Sequence, residues 1–309
     1  MSFVGGVGQI NCDLLFSGLD RLPQLGEEIY AQDFALRMGG GVPAIMIELS
    51  RLGVPARLCT ALGKGDLFSR FAQEELDRSG VQYQNFYEGD ALPITVTAVA
   101  ITPGERTFLS SRADKIACSD YESRIYRAFH GAKVVRMNAT PALADVFRQL
   151  KREGTILVYD TGWSATMSLK KYAPQLELAD YYLPNRAEAL RLTGCTDVCE
   201  AANRIGEYME NVVVKLDASG CLLQDARGRR FLGVLPETNA VDSTGAGDAF
   251  CAGFIYGLFG DYSLDDCVRL GSVMGGLCVR AVGCLEWYVG RDELLALYPS
   301  VKEIANPCV

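Results

Sequence analysis

Residues 242–250 read DSTGAGDAF, which sets two carboxylates (Asp242 and Asp248), two glycines (Gly245 and Gly247) and two hydroxyls (Ser243 and Thr244) directly ahead of the apolar run CAGFIYGLF. The stretch follows FLGVLPETNAV, a strand and loop by its pattern, and precedes a helix that starts near Gly247. Unpaired N–H groups at a helix N-terminus form an anion site, reinforced by the positive end of the helix dipole. Glycine lets those groups approach a phosphate without interference from a Cβ. A carboxylate in such a place competes with an anion, so Asp248 makes best sense aimed at a neighbouring hydroxyl as its base. Phosphoryl transfer asks for that combination: an acceptor oriented by an acid, and donors that stabilise charge on the moving group. The same spacing also fits a plain helix start, with Asp248 favouring the dipole and the glycines making a turn. Local physics leaves the two readings even.

Elements elsewhere must position this stretch. From about residue 130 onward, short apolar runs alternate with helical segments. KVVRMN, ILVYD, YYLPN and VVVKL read as strands, and ALADVFRQLKREG, RAEALRLTG and EAANRIGEYMEN as the helices between them. Such alternation, with nearly continuous apolar strands, predicts a doubly wound, mostly parallel α/β sheet with helices on both faces. SLDDCVRLGSVMGGLCVRAVG adds a helix with a Ser263–Asp266 capping box and Cys267, Leu270, Met274 and Leu277 at helical spacing. The first third reads differently. GGVGQINCDLLFSG, EEIYAQDFALRMGGG and LPITVTAVAITPGERTFLSS alternate like strands joined by turns, and they predict a small projecting β-sheet. Helices are expected at PAIMIELSRLG, with Ile45, Leu49 and Leu52 on one face, and at DLFSRFAQEELDRSG, with Phe68, Phe71, Ala72 and Leu76. The expected organisation is a single domain over 1–309, with the small sheet built from about 12–38 and 92–112.

Composition narrows the function classes. A chain of 309 residues can bury a large core, and its net charge of −8 argues against a nucleic-acid footprint. No uncharged apolar run reaches the roughly 18 residues that a membrane span needs. The start, MSFVGGVGQINCD, lacks the basic and apolar regions of an export signal. Eleven scattered cysteines without C-x-x-C spacing read as reduced, buried thiols, which points to the cytoplasm. The single histidine, His130, offers neither a zinc set nor a serine-hydrolase triad. It sits in SDYESRIYRAFHGAK, where Ser119 and Glu122 read as a capping box and Gly131 as the helix stop. A proton acceptor must therefore be sought among carboxylates.

GGGVPA at 39–44 formally fits a dinucleotide fingerprint, but it lies too far from the chain start for a first strand–helix turn. The acid such a fold would need, Asp66, reads as a helix N-cap. A glycine hinge that lets backbone approach a ligand is the better reading. No Walker-type phosphate loop occurs.

Taken in order along the chain, these motifs resemble the ribokinase-like (PfkB) carbohydrate kinases nearly end to end. DSTGAGDAF is similar to that family's C-terminal signature D-T-x-G-A-G-D, and GGGVPAIMIELSRLG to its N-terminal signature with a Gly-Gly hinge. The resemblance implies Asp248 as catalytic base and the N–H groups of Gly245, Ala246 and Gly247 as the anion hole. It implies Asp13, Gly39, Gly40, Gly41 and Asp242 at the sugar, with Asp242 and Thr244 at an adjoining site for a monovalent cation such as potassium. It places Asn185 and Glu188 of PNRAEALRLTG near the phosphates and a water-coordinated magnesium. Lys215, Asp217 and Gly220 of VVVKLDASGCLL would line ATP together with Ser272. GERTF fits a lid strand, so the small sheet would be a substrate lid. Taken singly, Asp13 is also an ordinary turn acid, Asn185 and Glu188 a helix start, and Lys215 a strand-end charge.

Three departures bear on the substrate. Ala44 stands where the family usually has an asparagine whose amide helps hold the sugar, and alanine cannot make that bond. DTGWS, with Trp163, replaces the D-P-N-x-R of fructokinase-like members, and Asp217 stands where glycine is usual. The expected activity is ATP-dependent phosphorylation of a primary hydroxyl of a sugar or sugar derivative. The alternatives are a nucleoside kinase of the same fold, with Trp163 stacking on a base, and a sugar-sensing protein without catalysis. A homodimer through the exposed lid edge is the expected assembly.

Overall fold

The computed structural model describes every residue except 1, 104, 114–117, 139, 163, 308 and 309. The chain starts with β1 (Val4–Val7) at the middle of the main sheet, then leaves it for β2 (Asn11–Ser17) and β3 (Asp33–Gly39). It re-enters through α1 (Gly41–Arg51), β4 (Ala56–Thr60), α2 (Leu67–Ser79) and β5 (Gln82–Asn85), and leaves again for the hairpin β6 (Thr95–Thr102) and β7 (Glu105–Ser110). After α3 (Tyr121–Phe129), β8 (Val134–Met137), α4 (Ala144–Arg152), β9 (Ile156–Tyr159), α5 (Leu169–Leu178) and β10 (Tyr181–Tyr182) follow in strict alternation. Next come α6 (Arg186–Thr193), α7 (Val198–Gly206), β11 (Asn211–Lys215) and the antiparallel β12 (Cys221–Asp225) and β13 (Gly228–Leu232). The helices α8 (Ala246–Phe259), α9 (Leu264–Cys278) and α10 (Arg291–Leu297) precede a last short strand, β14 (Glu303–Ile304).

Among the described residues the main sheet has the order β14-β13-β12-β11-β10-β9-β8-β1-β4-β5, parallel from β11 to β5. The chain winds outward from β1 to β5 on one side and from β8 to β11 on the other. This is the doubly wound arrangement, and its order reverses between β1 and β8. Strand residues are buried on both faces and alternate between two cores. Val4, Val134, Val158 and Val213 face α1, α8 and α9, whereas Val7, Val135, Leu157 and Val214 face α3 to α7. Burial on both sides accounts for strands that read as continuous apolar runs.

Two local readings change. GGVGQINCDLLFSG is divided, with β1 at the centre of the main sheet and only β2 in the small one. The Ser119–Glu122 capping box does not form. Asp120, with a φ of 54°, is the N-cap residue and makes no side-chain cap, while the Ser119 amide donates to Glu88 Oε2 at 3.3 Å. At α9 only half of the box is present: Ser263 Oγ accepts from the Asp266 amide, and the Asp266 carboxylate takes the Ser263 hydroxyl.

The small sheet has the order β3-β2-β6-β7 and projects beside the C-terminal ends of the parallel strands. Its register puts Asp13, Leu15, Thr97, Val99, Arg106, Phe108 and Ser110 on one face. The Thr97 and Ser110 hydroxyls meet there at 3.0 Å. Phe16, Phe34 and Leu109 lie on the opposite face, where each remains exposed.

Candidate active site

Two helix N-termini converge at the carboxyl edge of the parallel strands. Gly245 opens α8 with a φ of 80°, and a Cβ there would stand 2.2 Å from Cys284 Cβ, so only glycine fits. Gly40 opens α1 with a φ of 105°, and a Cβ there would stand 2.7 Å from the Gln9 carbonyl oxygen. Gly41 begins α1 so close to α8 that a Cβ on it would be 3.0 Å from Asp248 Oδ1. The Asp248 carboxylate therefore lies between both positive helix ends. Of the three amides expected to hold an anion, that of Ala246 donates weakly to the Ser243 carbonyl at 3.2 Å. Those of Gly245 and Gly247 have no backbone acceptor among the described residues.

Lys215, at the end of β11, reaches this point. Its Nζ is 3.4 Å from both carboxylate oxygens of Asp160, which follows β9, and 3.4 Å from where a Cβ on Gly247 would stand. Burial works against its charge, but the Asp160 carboxylate holds its pKa above the ordinary value. Arg136 projects from β8 with 8 % exposure, and its Nε has no partner among the described residues. Burial, and then the Asp160 carboxylate, push Asp248 from 3.8 up to about 6, against the pull of Lys215 and Arg136. A base that titrates near 6 is ionised at neutral pH yet still has proton affinity.

Glu188 and Asn185 form a full capping box on α6: Asn185 Oδ1 accepts from the Glu188 amide, and Glu188 Oε2 accepts from the Asn185 amide, each at 2.8 Å. Burial, with Asp160 next, pushes Glu188 to about 7. Among the described residues no three acidic, cysteine or histidine side chains cluster as direct metal ligands. The cap takes Glu188 Oε2 and leaves Oε1 out of it, an arrangement that suits a metal held through water.

On the side of the small sheet, Asp13 stands in β2 with Oδ2 3.2 Å from where a Gly39 Cβ would be, and burial raises its pKa. Asp242 is almost sealed. Its Oδ1 accepts from the Thr244 amide and its Oδ2 from the Gly283 amide, both at 2.8 Å. Arg106 of β7 crosses from the small sheet, with Nη1 2.6 Å from Asp242 Oδ1 and 2.5 Å from Thr244 Oγ1. Burial opposes ionisation of Asp242, but Arg106 and the two amides hold its carboxyl below the usual range.

The remaining expected residues line the opposite flank. Asp217 is exposed in a one-turn 3-10 helix with a φ of 55°, and Gly220 follows it with a φ of 91°. Ser272 is buried in α9, its hydroxyl 3.8 Å from Cys221 Sγ. A cavity of about 690 Å³ opens between the loop that leads into α8 and the helix α10, lined by Leu235, Asn239, Val241, Arg280, Glu293 and Leu297 among others. Ala44 is buried in the first turn of α1, and Trp163 lies outside the described residues.

The motif reading passed over Asp160, Arg136, Arg106 and Glu48. Two of them carried a signal. Arg136 is the one charge within the strand run VVRM, and Glu48 the one within the buried helical run VPAIMIEL. Glu48 is 2 % exposed, and neither carboxylate oxygen has a partner among the described residues.

Comparison with known proteins gives this geometry a context. A family model described as pfkB family carbohydrate kinase matches residues 5–287. An uncharacterized sugar kinase of Archaeoglobus fulgidus is 29% identical over 246 residues, covering 77% of this chain and 96% of that protein. The ribokinase of Lactococcus lactis is 24% identical over 310 residues and covers 98% of both chains. Arabidopsis thaliana ribokinase, solved with ribose and ATP, superposes with a TM-score of 0.79 at 24% identity, over 96% of this chain and 99% of that one.

Proposed function

The chain belongs to the pfkB family of carbohydrate kinases, phosphotransferases with an alcohol acceptor, and on that premise we propose that it transfers the γ-phosphoryl group of ATP to a sugar hydroxyl with Asp248 as base. The supporting observation is the Asp248 carboxylate, held between the N-termini of α1 and α8 and raised to about 6. The acceptor lies against the lid face that carries Asp13, near the Gly39–Gly41 turn, and gives up its hydroxyl proton to Asp248 as it attacks. Charge on the transferring group falls to the Gly245 and Gly247 amides, the α8 dipole and Lys215. Asn185 and Glu188 would hold magnesium through water, and the ion would neutralise phosphate charge. The nucleotide extends past Asp217 and Gly220 toward the cavity beside Leu235 and Val241.

A nucleoside acceptor is favoured by one observation. Phe108 stands 59% exposed on the same lid face as Asp13, next to Leu15 and Val99, an apolar surface suited to a base. The exposed Phe16, Phe34 and Leu109 on the outer face support a dimer through the lid. The described cysteines are all free thiols, which fits a reducing cytoplasm. No helix among the described residues is long and apolar enough to cross a membrane.

ADP release measured over a panel of sugars and nucleosides tests the reading. A primary-alcohol sugar among the best acceptors is the expected result. A preference for nucleosides moves the assignment to the second acceptor class, and binding without ADP release across the panel sinks the catalytic reading.

A further inference from the structure

The geometry points to Arg106 of the lid as the built-in cation of the anion-hole loop, in the place where the family resemblance implies a monovalent metal ion. The resemblance implies Asp242 and Thr244 for such an ion, and the side-chain oxygens they offer here are Asp242 Oδ1 and Thr244 Oγ1. Both already face one guanidinium nitrogen, at 2.6 and 2.5 Å. The other Asp242 oxygen accepts from the Gly283 amide. With the hairpin docked, an ion seated on those oxygens would stand against the Arg106 guanidinium, so these side chains do not fit a free cation. The Asp242 side chain is only 2 % exposed, and a carboxylate so enclosed needs a counter-charge from somewhere. Here the chain itself provides it.

The origin of that charge matters. Arg106 is the second residue of β7, at the tip of the lid hairpin, while Asp242 and Thr244 lead directly into Gly245 and the first turn of α8. Asp242 also fastens the loop at Gly283, next to Cys284, against which Gly245 packs. Docking of the hairpin thus neutralises Asp242, fixes the Thr244 side chain and steadies the segment that carries the Gly245 and Gly247 amides. An ion in solution would bind whether the lid was open or shut, whereas this cation arrives only with closure. Arg106 is a positioning residue: it acts on the reacting groups through Asp242 and Thr244. Closure of the lid and assembly of the anion hole then become one event, which ties loss of water to readiness for transfer.

The test compares wild type, Arg106→Met and Arg106→Lys in potassium chloride and in tetramethylammonium chloride at matched ionic strength. Thermal midpoints and hydrogen exchange of the 95–110 hairpin are read on the unliganded full-length chain, so they do not depend on the kinase reading. Activity is then read with whichever acceptor proves active. Wild type is expected to show the same midpoint and exchange in both salts, and kcat within about twofold. Arg106→Met should exchange its hairpin faster and lose about tenfold or more in kcat in tetramethylammonium. Potassium, entering the vacated site, should raise its midpoint and restore part of the rate. Arg106→Lys should fall between the two and respond less to potassium. A wild type that gains stability or rate severalfold from potassium overturns the inference. So does an Arg106→Met variant with unchanged exchange and rate. A variant that loses rate without gaining any response to potassium reduces Arg106 to a latch, and that too overturns its assignment as the cation's replacement.

Discussion

Two acid–base clusters occupy opposite edges of the same sheet. At the amino edge, Asp225 of β12 and Asp265 of α9 are gripped by Arg230, which lies 2.9 Å from Asp225 and in direct contact with Asp265. Arg227 adds a contact of 2.7 Å to Asp265. The Arg230 hydrogen bonds hold Asp225 down at about 2. At the carboxyl edge, Asp248, Asp160 and Glu188 share Lys215 and a more distant Arg136, and burial pushes Asp248 to about 6 and Glu188 to about 7. The residue types are the same and the electrostatics opposite. Where two carboxylates share two arginines, charge stabilises the fold. Where carboxylates outnumber the cations in reach, proton affinity rises and the fold is less stable for it, which is the usual mark of a site built for chemistry.

The sharpest way to break this comparison is Asp248→Asn. If Asp248 is the base, kcat should fall by about 10²–10⁴-fold with little change in KM for ATP. In the wild type, kcat/KM should rise with pH through about 6 as Asp248 loses its proton. Stability should move the other way. The folded pKa lies above the unfolded value of 3.8, so the folded state binds the proton more tightly. Stability is therefore lost as pH rises from about 4 through 6, and no more is lost above that. The asparagine variant should lack this decline and melt higher than wild type at pH 7–8. Near-normal turnover, or a pH–stability curve identical to wild type, would place Asp248 with the structural acids.

The amino-edge cluster should show the reverse pattern. Arg230→Met is expected to cost about 2 kcal/mol at neutral pH, measured by urea unfolding, and to leave kcat unchanged. The sign follows from a folded pKa near 2 against 3.8 unfolded: the Asp225 contribution is fully present above about 4 and is lost as pH falls toward 2. The variant and wild type should thus converge in stability in strong acid. A drop in kcat without a drop in stability would erase the distinction between the two edges.

What could be read from residue order divides along the same lines. The alternation after residue 130, the strands of the small sheet and the α8 start were legible because each depends on neighbours within a few positions: a period, a glycine, a cap. The Asn185–Glu188 box was visible for the same reason, and it formed. Ser119–Glu122 has the same spacing, but Glu88, more than thirty residues earlier, takes the Ser119 amide and Asp120 turns left-handed instead. Arg106 could be placed on a lid strand, but its contact with Asp242 spans 136 positions and has no local signature. The Asp160–Lys215 pair, which shapes the pKa of Asp248, likewise exists only once the strand order brings β9 and β11 together across β10. Motifs located the acid and the amides proposed to react. The charges that tune them came from topology.

Glu48 offers the smallest effect and the finest cut. It is a fully buried acid on α1, the same helix whose first residue faces Asp248, but it belongs to neither cluster by contact: no arginine grips it, and neither oxygen has a partner among the described residues. Burial, and then the Asp248 carboxylate, raise its pKa well above the ordinary value. An unpaired buried carboxyl lowers stability by the water it has lost, and an apolar side chain of similar length avoids that cost. Glu48→Met should therefore stabilise the chain by about 1 kcal/mol at neutral pH. The gain should grow as pH rises, because the folded wild type holds its proton above the pH at which the unfolded chain releases it. Turnover should stay within about twofold of wild type and keep its rise through pH 6, since Asp160, not Glu48, is the leading carboxylate acting on Asp248. A stabilised variant with a shifted pH–rate profile would instead assign Glu48 to the catalytic edge. It would then extend the uncompensated charge of that edge about two helical turns deeper into α1.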